Sequence, residues 1–169
     1  MTDHTPTEKL RRALFDTLGD ERTGMLGLEG ARDHMQPMTH VFDPDKQVLW
    51  FISGHDTDLV RQIKGAPRTA HFTVTAGDRS LYACISGLIA QTNDREKLEE
   101  VWSPMAAMWF DGGIDDPNVA LLCMPLDEAA VWTVEAGALR FGLEMVRGAA
   151  GDHDPDVGDH GVLEFRHAA

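Results

Sequence analysis

The sequence has few cysteines, few basic residues and no long apolar run, and each scarcity excludes a class of protein. The two cysteines, Cys84 and Cys123, form no CxxC pair, which excludes a zinc knuckle and a thioredoxin-like motif. Lys and Arg number 15 against 28 Asp and Glu, and the net charge of −13 disfavours binding to nucleic acid or anionic lipid. The longest uncharged run, Ser80–Asn93, has 14 residues, too few for a transmembrane helix.

The composition is otherwise that of a globular protein, with 169 residues, 43% hydrophobic and 25% charged. This length predicts one domain with a single core. The first residues, MTDHTPTEKLRR, are polar and lack the apolar stretch of a signal peptide. Together with the two thiols, which we expect to be reduced, this predicts a soluble protein of the cytoplasm with no membrane or nucleic-acid partner.

Capping and turn signals divide the chain into one long helix, several strands and further short helices. Thr5-Pro6-Thr7-Glu8 is a capping box with proline at the first helical position, and it predicts a helix over Pro6–Leu18 that ends at Gly19. The turn Asp43-Pro44-Asp45-Lys46 joins two apolar runs and predicts a hairpin. The remaining predictions are strands at Thr23–Leu28, His34–Phe42, Gln47–Ile52, Pro67–Thr75, Ser80–Thr92, Val119–Met124 and Ala129–Val134, and helices at Thr57–Ile63, after Asp94 and after Ser103.

Successive strands joined by tight turns predict an α+β, mainly β, fold with a small antiparallel barrel. We expect a single domain over residues 1–150. Residues 151–169 are acidic and rich in turn residues, which predicts a flexible C-terminal tail. Leu139–Val146 fits a helical stripe only in part, and its structure is left open.

Several motifs that could carry chemistry fail on their spacing. Gly24, Gly27 and Gly30 do not follow the spacing of a dinucleotide loop, so close strand packing explains them better. A calcium loop that began with the run Asp152–Asp156 would need glycine at Val157 and glutamate at Leu163, so the motif fails at both positions. No HxH or HExxH pattern gathers the histidines into a metal site, and Ser53-Gly54-His55-Asp56 is too local for a catalytic triad. The residues alone predict a barrel with an unidentified ligand and no metal.

Four segments of the chain carry motifs that occur together in one known family. They are QPM at Gln36–Met38, LWFIS at Leu49–Ser53 with the helix DTDLVRQI, SLYACISGLIAQTNDREKLEEVW from Ser80, and MWFDGGIDDPNVALLCM from Met108. In order and spacing they resemble the general stress protein branch of the pyridoxamine 5′-phosphate oxidase-like proteins, within the FMN-binding split-barrel superfamily. The last segment is the most specific, because the branch carries W-F-x-G-G-x-D-D-P there and an A-x-x-W strand after it. The resemblance implies an antiparallel split β-barrel with flanking helices.

The resemblance also implies a homodimer that holds FMN in clefts between the subunits and acts as an oxidoreductase. The second strand and the WFIS strand with its following turn would contact the flavin, and tryptophans of the partner subunit would close the ring pocket. The implied cofactor-binding residues are His34, Met35, Gln36, Pro37, Met38, Ser53, Gly54, His55, Thr57, Trp109 and Trp132. The two tryptophans can equally be aromatics of a dimer core, and no catalytic residue is identified.

Two positions depart from the family pattern where the flavin phosphate is expected. The branch usually has a cation at the position of Gln36 and a lysine at that of Leu59. Each charge-assisted hydrogen bond to such a group contributes roughly 1.5–3 kcal/mol, so we expect modest FMN affinity, supported by donors around Thr57. Three functions stay open: an FMN-dependent oxidoreductase, a non-catalytic flavin binder and a degenerate dimeric stress protein. The region after Trp132 lacks the R-x-H-x-R substrate motif, which argues against pyridoxamine phosphate oxidase activity.

Overall fold

The computed structural model describes residues 5–134 and 158–165, in which strands predominate. The helices are α1 (Pro6–Asp20), α2 (Asp58–Ile63), α3 (Arg95–Val101) and α4 (Pro104–Ala107), with a 3-10 turn at Gly113–Asp115. The strands are β1 (Thr23–Leu28), β2 (Gln36–Asp43), β3 (Val48–Gly54), β4 (Arg68–Thr75), β5 (Leu81–Thr92), β6 (Val119–Thr133) and β7 (His160–Glu164). None of the helices in these ranges is long and apolar enough to cross a membrane.

Six antiparallel strands close into a barrel, and a seventh strand is added at its side. Neighbouring strands follow the order β3-β2-β1-β4-β5-β6-β7, and a further pairing between β3 and β6 closes the barrel. One part of β6 closes the barrel and another part pairs with the seventh strand. Val119–Pro125 pairs with β3, and Glu128–Trp132 pairs with β7. The prediction of an antiparallel split barrel with flanking helices is confirmed.

The predicted capping box starts α1, and the leucine stripe fixes the helix to the barrel. The Thr5 hydroxyl accepts from the Glu8 N–H, and the Glu8 carboxylate accepts from the Thr5 N–H at 2.9 Å. The helix continues one residue past Gly19, to Asp20. Its buried side chains, spaced every four residues and packed in the main core, include Leu10, Leu14 and Leu18.

Close strand packing accounts for the first glycine of the cluster in β1, as its spacing predicts. A Cβ atom on Gly24 would lie 2.3 Å from the Phe72 ring and 2.3 Å from the Thr73 carbonyl oxygen. Both neighbours belong to β4, which pairs with β1 in the barrel. Any side chain at position 24 would therefore push apart two strands of the closed sheet.

The prediction of two strands, Val119–Met124 and Ala129–Val134, is wrong, because the single strand β6 spans both. Pro125 and the acidic residues after it resemble a turn in the sequence. In the structure Leu126 is fully buried, and its N–H donates to the Gln47 carbonyl oxygen at 2.9 Å. The proline lies opposite the first residue of β3, where that ladder ends, so its missing N–H interrupts little of the sheet.

The tail predicted to be flexible, residues 151–169, contains a docked strand, and this part of the prediction is corrected. Residues His160–Glu164 form β7, and the side chains of Leu163 and Phe165 are only 1% and 4% exposed. The Arg11 guanidinium lies 4.7 Å from the centre of the Phe165 ring. The sequence pattern did not predict this strand, because the strand is short and follows a turn-rich acidic stretch. The remaining C-terminal predictions, for Leu139–Val146, for Asp152–Asp156 and for a domain boundary at residue 150, lie outside the described residues.

His40, in the middle of β2, is a histidine whose surroundings favour the neutral ring. It is 1% exposed, and its Nε2 lies 3.0 Å from the Leu18 carbonyl oxygen. A carbonyl oxygen only accepts, so Nε2 carries the hydrogen, and Nδ1 has no partner among the described residues. Burial lowers the pKa of His40, and this outweighs the opposite effect of the bond to Leu18.

We expect the free energy of unfolding to fall as the pH is lowered from about 7 to about 5. The pKa of His40 is lower in the folded protein than its ordinary 6.5. Its contribution to the free energy of unfolding is therefore complete above pH 6.5 and is lost as the pH falls towards the lowered pKa. His40→Gln keeps a donor but does not titrate, so it should reduce the slope of the free energy of unfolding against pH by up to about 1.4 kcal/mol per pH unit. Urea unfolding at several pH values measures the slope, with His55→Gln as the exposed control. Equal slopes for wild type and His40→Gln would contradict this account.

Candidate functional site

A cavity of about 420 Å³ lies beside the end of the β3–β6 ladder. This volume falls within the range of small-molecule sites. Its walls come from β2, β3, the turn before α2, the end of α3, α4 and the segment between α4 and β6. The lining residues are Pro37, Met38, Thr39, Val41, Trp50, Ile52, Ser53, Gly54, Asp56, Thr57, Val101, Ser103, Met105, Ala106, Trp109, Phe110 and Asn118.

Most of the cavity wall is apolar or aromatic. Trp50 and Ile52 come from β3, and Trp109 and Phe110 come from the segment after α4. Trp50 and Phe110 are buried, whereas Trp109 is 81% exposed. Buried rings give the cavity a fixed shape, and the exposed indole presents a free aromatic face at its edge. Such a wall suits a flat, largely apolar ring system.

Lys97 supports the Trp50 wall without lining the cavity. Its side chain is nearly buried, with Nζ 2.7 Å from Glu100 Oε2 and 3.5 Å from Asp43 Oδ2. The hydrogen bond to Glu100 raises the pKa of Lys97, so the ammonium stays charged. Nζ also lies 5.3 Å from the centre of the Trp50 ring, a cation–π contact. The charge of Lys97 is thus matched by carboxylates rather than presented to a ligand.

Hydroxyl groups form one part of the polar end of the cavity. Thr57 precedes α2, and its Oγ1 donates to the Gly54 carbonyl oxygen at 2.8 Å while accepting from the Val60 N–H at 3.3 Å. Ser53 Oγ lies 3.3 Å from Thr57 Oγ1. Since the single hydroxyl hydrogen of Thr57 is directed to Gly54, Ser53 must be the donor in that pair. Ser53 therefore keeps its lone pairs for a ligand.

Asp56 and Asn118 form the other part of the polar end. Asn118 Nδ2 donates to Asp56 Oδ1 at 2.9 Å, and Asn118 Oδ1 accepts from the Asp56 N–H at 3.2 Å. The Asn118 carbonyl oxygen also accepts from the His55 N–H at 2.8 Å. A Cβ on Gly54 would lie 2.5 Å from Asp56 Oδ1, so glycine leaves room for this pair. These hydrogen bonds join, at the cavity, two turns that are far apart in the sequence.

The motif segment between α4 and β6 is organised by Asp116. Its carboxylate accepts from the Gly112 N–H at 3.0 Å and from the Asn118 N–H at 2.8 Å. These hydrogen bonds lower the pKa of Asp116, because they stabilise its charged form. Arg95 on α3 ties the same segment down through Asp115 Oδ1 at 2.8 Å. The acidic residues of the motif thus position Asn118 at the cavity.

Charge is scarce at the cavity. Among the described residues that line it, Asp56 is the only ionisable side chain. Within residues 5–134 and 158–165, no group of three or more His, Cys, Asp or Glu is placed to hold a metal ion. The chemistry available to this wall is therefore hydrogen bonding and aromatic contact, with one carboxylate.

The structure brings together part of the site predicted from the sequence. The predicted residues that line the cavity are Pro37, Met38, Ser53, Gly54, Thr57 and Trp109. The predicted residues outside its lining are His34, Met35, Gln36, His55 and Trp132. His34 and Met35 precede β2, and Trp132 lies at the opposite end of β6 from Asn118. Trp109 lines the cavity of its own chain, whereas the resemblance implied a contribution across a dimer interface.

The two positions at which the resemblance implies phosphate-binding cations differ in their surroundings. Leu59, on α2, is 6% exposed and belongs to the main core. Gln36 is half-buried at the start of β2, opposite Leu26 of β1. Neither side chain lines the cavity.

The sequence analysis indicated the WFIS strand and the turn after it, but it did not single out Trp50, Asp56 or Asn118 as lining residues. Trp50 belongs to a strand that is buried on both faces, so alternation gives no sign of the side on which its ring lies. Asp56 and Asn118 are 62 residues apart and meet only through the β3–β6 pairing. Gly54 and Pro117 indicate two turns in the sequence, but they do not indicate that these turns are in contact in the folded chain.

Comparison with known proteins identifies relatives of the whole chain. The sequence pattern of the family described as pyridoxamine 5′-phosphate oxidase like matches residues 9–156. A protein assigned as general stress protein 26 from Jannaschia sp. CCS1 is 35% identical, covering 94% of this chain and 99% of that one, with a TM-score of 0.79. The general stress FMN/FAD binding protein from Xanthomonas citri is 32% identical, covering 77% and 92% of the two chains, with a TM-score of 0.71. A search of the curated proteins finds no match.

Proposed function

Because this chain belongs to the pyridoxamine 5′-phosphate oxidase-like family, we propose that its cavity binds the ring system of a flavin and that the protein is a flavin-dependent oxidoreductase. The relative from Xanthomonas citri is described as FMN/FAD binding. The observation that carries the proposal is a cavity of about 420 Å³ with aromatic walls and one hydrogen-bonding end. A bound flavin would supply hydride or electron transfer, and the protein would supply binding and orientation.

The lining residues divide between stacking and orientation. Trp50, Phe110 and Trp109 provide aromatic surface for an isoalloxazine ring, and the two buried rings exclude water from that wall. Ser53 and Asp56 present acceptors to the N–H and hydroxyl donors that a flavin carries. Asp56 is the only ionisable side chain in the described lining.

We also propose that the protein is a homodimer whose second subunit covers the mouth of the cavity. Met105, Met108 and Trp109 are 52%, 76% and 81% exposed, and they occur within five residues. Large apolar side chains clustered in this way at the edge of a binding cavity are typical of an interaction surface. The free thiols of Cys84 and Cys123 support a reducing compartment, and we assign the protein to the cytoplasm.

Replacing Trp109 with alanine should weaken flavin binding about tenfold, because the ligand loses an aromatic contact. Titration of flavin fluorescence with wild type and Trp109→Ala measures the two dissociation constants. Since Trp109 is 81% exposed, the melting temperature should change little, which separates a binding defect from unfolding. Trp132→Ala is the matched control, because that tryptophan is outside the cavity lining.

Flavin binding and flavin reduction by a nicotinamide donor together decide between the candidate functions. Wild type that binds no flavin would contradict the proposal and favour a dimeric scaffold. Binding without reduction of the flavin by NADH or NADPH, followed at its visible absorbance, would favour a non-catalytic flavin binder. Light scattering on the same samples tests the dimer, and a mass of 18.6 kDa at micromolar concentration would contradict it.

A further inference from the structure

We infer that the cavity selects a flavin without a phosphate group, of the riboflavin class, over FMN. This inference rests on the proposed function, since it concerns which flavin the same cavity holds. The ring system fits the aromatic walls, but the polar end does not fit a phosphate. The reasons are the sign of the charge at that end and the direction of its hydrogen bonds.

The charge at the polar end has the wrong sign for a phosphate. Asp56 is the only ionisable side chain in the described lining, and it carries a negative charge. Two cations on neighbouring helices are paired with carboxylates: Arg61 on α2 pairs with Asp58 at 3.0 Å, and Lys97 on α3 pairs with Glu100. The net charge of −13 adds a repulsive field over the whole chain. A phosphate group bound here would lose its hydration and gain no counter-charge from the described lining.

The hydrogen bonds at the polar end are also directed against a phosphate. A phosphate needs donors, and three backbone N–H groups of the turn before α2 already have acceptors. Those of His55 and Asp56 donate to Asn118, and that of Thr57 donates to the Gly54 carbonyl oxygen at 3.1 Å. The acceptors left at this end are the carboxylate of Asp56 and the lone pairs of Ser53, and they match the ring N–H and side-chain hydroxyls of riboflavin. The donors left in the described lining, such as the second Nδ2 hydrogen of Asn118, are uncharged and do not neutralise a phosphate.

Equilibrium titration of FMN and riboflavin against the full chain tests the inference by fluorescence quenching. We expect riboflavin to bind at least as tightly as FMN. We also expect FMN binding to improve as salt rises from about 20 mM to about 300 mM, because salt screens repulsion. A phosphate held by cations would show the reverse salt dependence. FMN binding more than threefold tighter than riboflavin would overturn the inference and leave the flavin proposal standing, whereas binding of neither flavin would overturn both.

A charge-neutral variant gives a second, independent readout. Asp56→Asn keeps the acceptor for Asn118 Nδ2 and removes the negative charge. It should tighten FMN about threefold to tenfold and change riboflavin binding less than twofold. Asp45→Asn removes the same charge from an exposed turn outside the cavity lining, and should leave the ratio of the two dissociation constants unchanged. An equal effect of both substitutions, or no effect of Asp56→Asn on FMN, would overturn the assignment of Asp56 as the discriminating residue.

Discussion

Replacing Leu59 with lysine, the residue that the resemblance implies at this position, should lower the free energy of unfolding by about 3–5 kcal/mol. Leu59 is 6% exposed and packs in the main core. The substitution removes buried apolar surface and places an ammonium among apolar side chains, where nothing compensates its desolvation. Urea denaturation followed by circular dichroism measures the loss.

The chain contains a matched control for this substitution. Leu88, on β5, is 58% exposed, so Leu88→Lys makes the same chemical change at the surface and should alter the free energy of unfolding by no more than about 0.5 kcal/mol. A loss below about 1 kcal/mol for Leu59→Lys would contradict the structure at this position. In that case the lysine would reach outside the core, and it should then also tighten FMN as a phosphate-binding cation.

The fold was predictable where local signals coincide with structure. The capping box sets the start of α1, and the turn Asp43-Pro44-Asp45-Lys46 joins β2 and β3 as predicted. The strand period and tight turns were sufficient for an antiparallel barrel. Prediction failed where a local signal was overridden by long-range pairing. Pro125 reads as a break, yet β6 continues through it because β3 and β5 hold both of its edges.

The site was predictable only as far as its motifs are continuous. QPM and WFIS led to Pro37, Met38 and Ser53, because each motif lies on a strand next to the cavity. They also led to Gln36, which the structure keeps out of the lining. Gln36 and Met38 are two residues apart and share a face of β2, so the strand pattern alone does not tell which of them reaches the cavity. The pair of Asp56 with Asn118 needs the three-dimensional pairing of β3 with β6, which no local pattern reveals.

The length of β6 explains why a seventh strand is needed. β3 pairs with the first half of β6, so the second half, from Glu128 onward, would have an unpaired edge. β7 covers this edge from Glu128 to Trp132. It also contacts α1, since the Arg11 guanidinium donates to the Glu164 carbonyl oxygen at 2.9 Å. The C-terminal strand thus covers an edge of β6 that the closed six-stranded barrel leaves unpaired.

Truncating the side chain of Phe165 to alanine should therefore lower the free energy of unfolding by about 3–5 kcal/mol. The ring is 4% exposed and stacks on Phe15 of α1, with the ring centres 6.1 Å apart. The truncation also removes the contact between the Phe165 ring and the Arg11 guanidinium, so α1 and the residues after β7 lose packing against each other. Thermal and urea unfolding measure the effect, with Val162→Ala on the same strand as control. Val162 is 58% exposed, and its truncation should cost no more than about 0.5 kcal/mol. If both truncations had equally small effects, β7 would not be docked in solution, and residues 151–169 would behave as the flexible tail that their composition predicts.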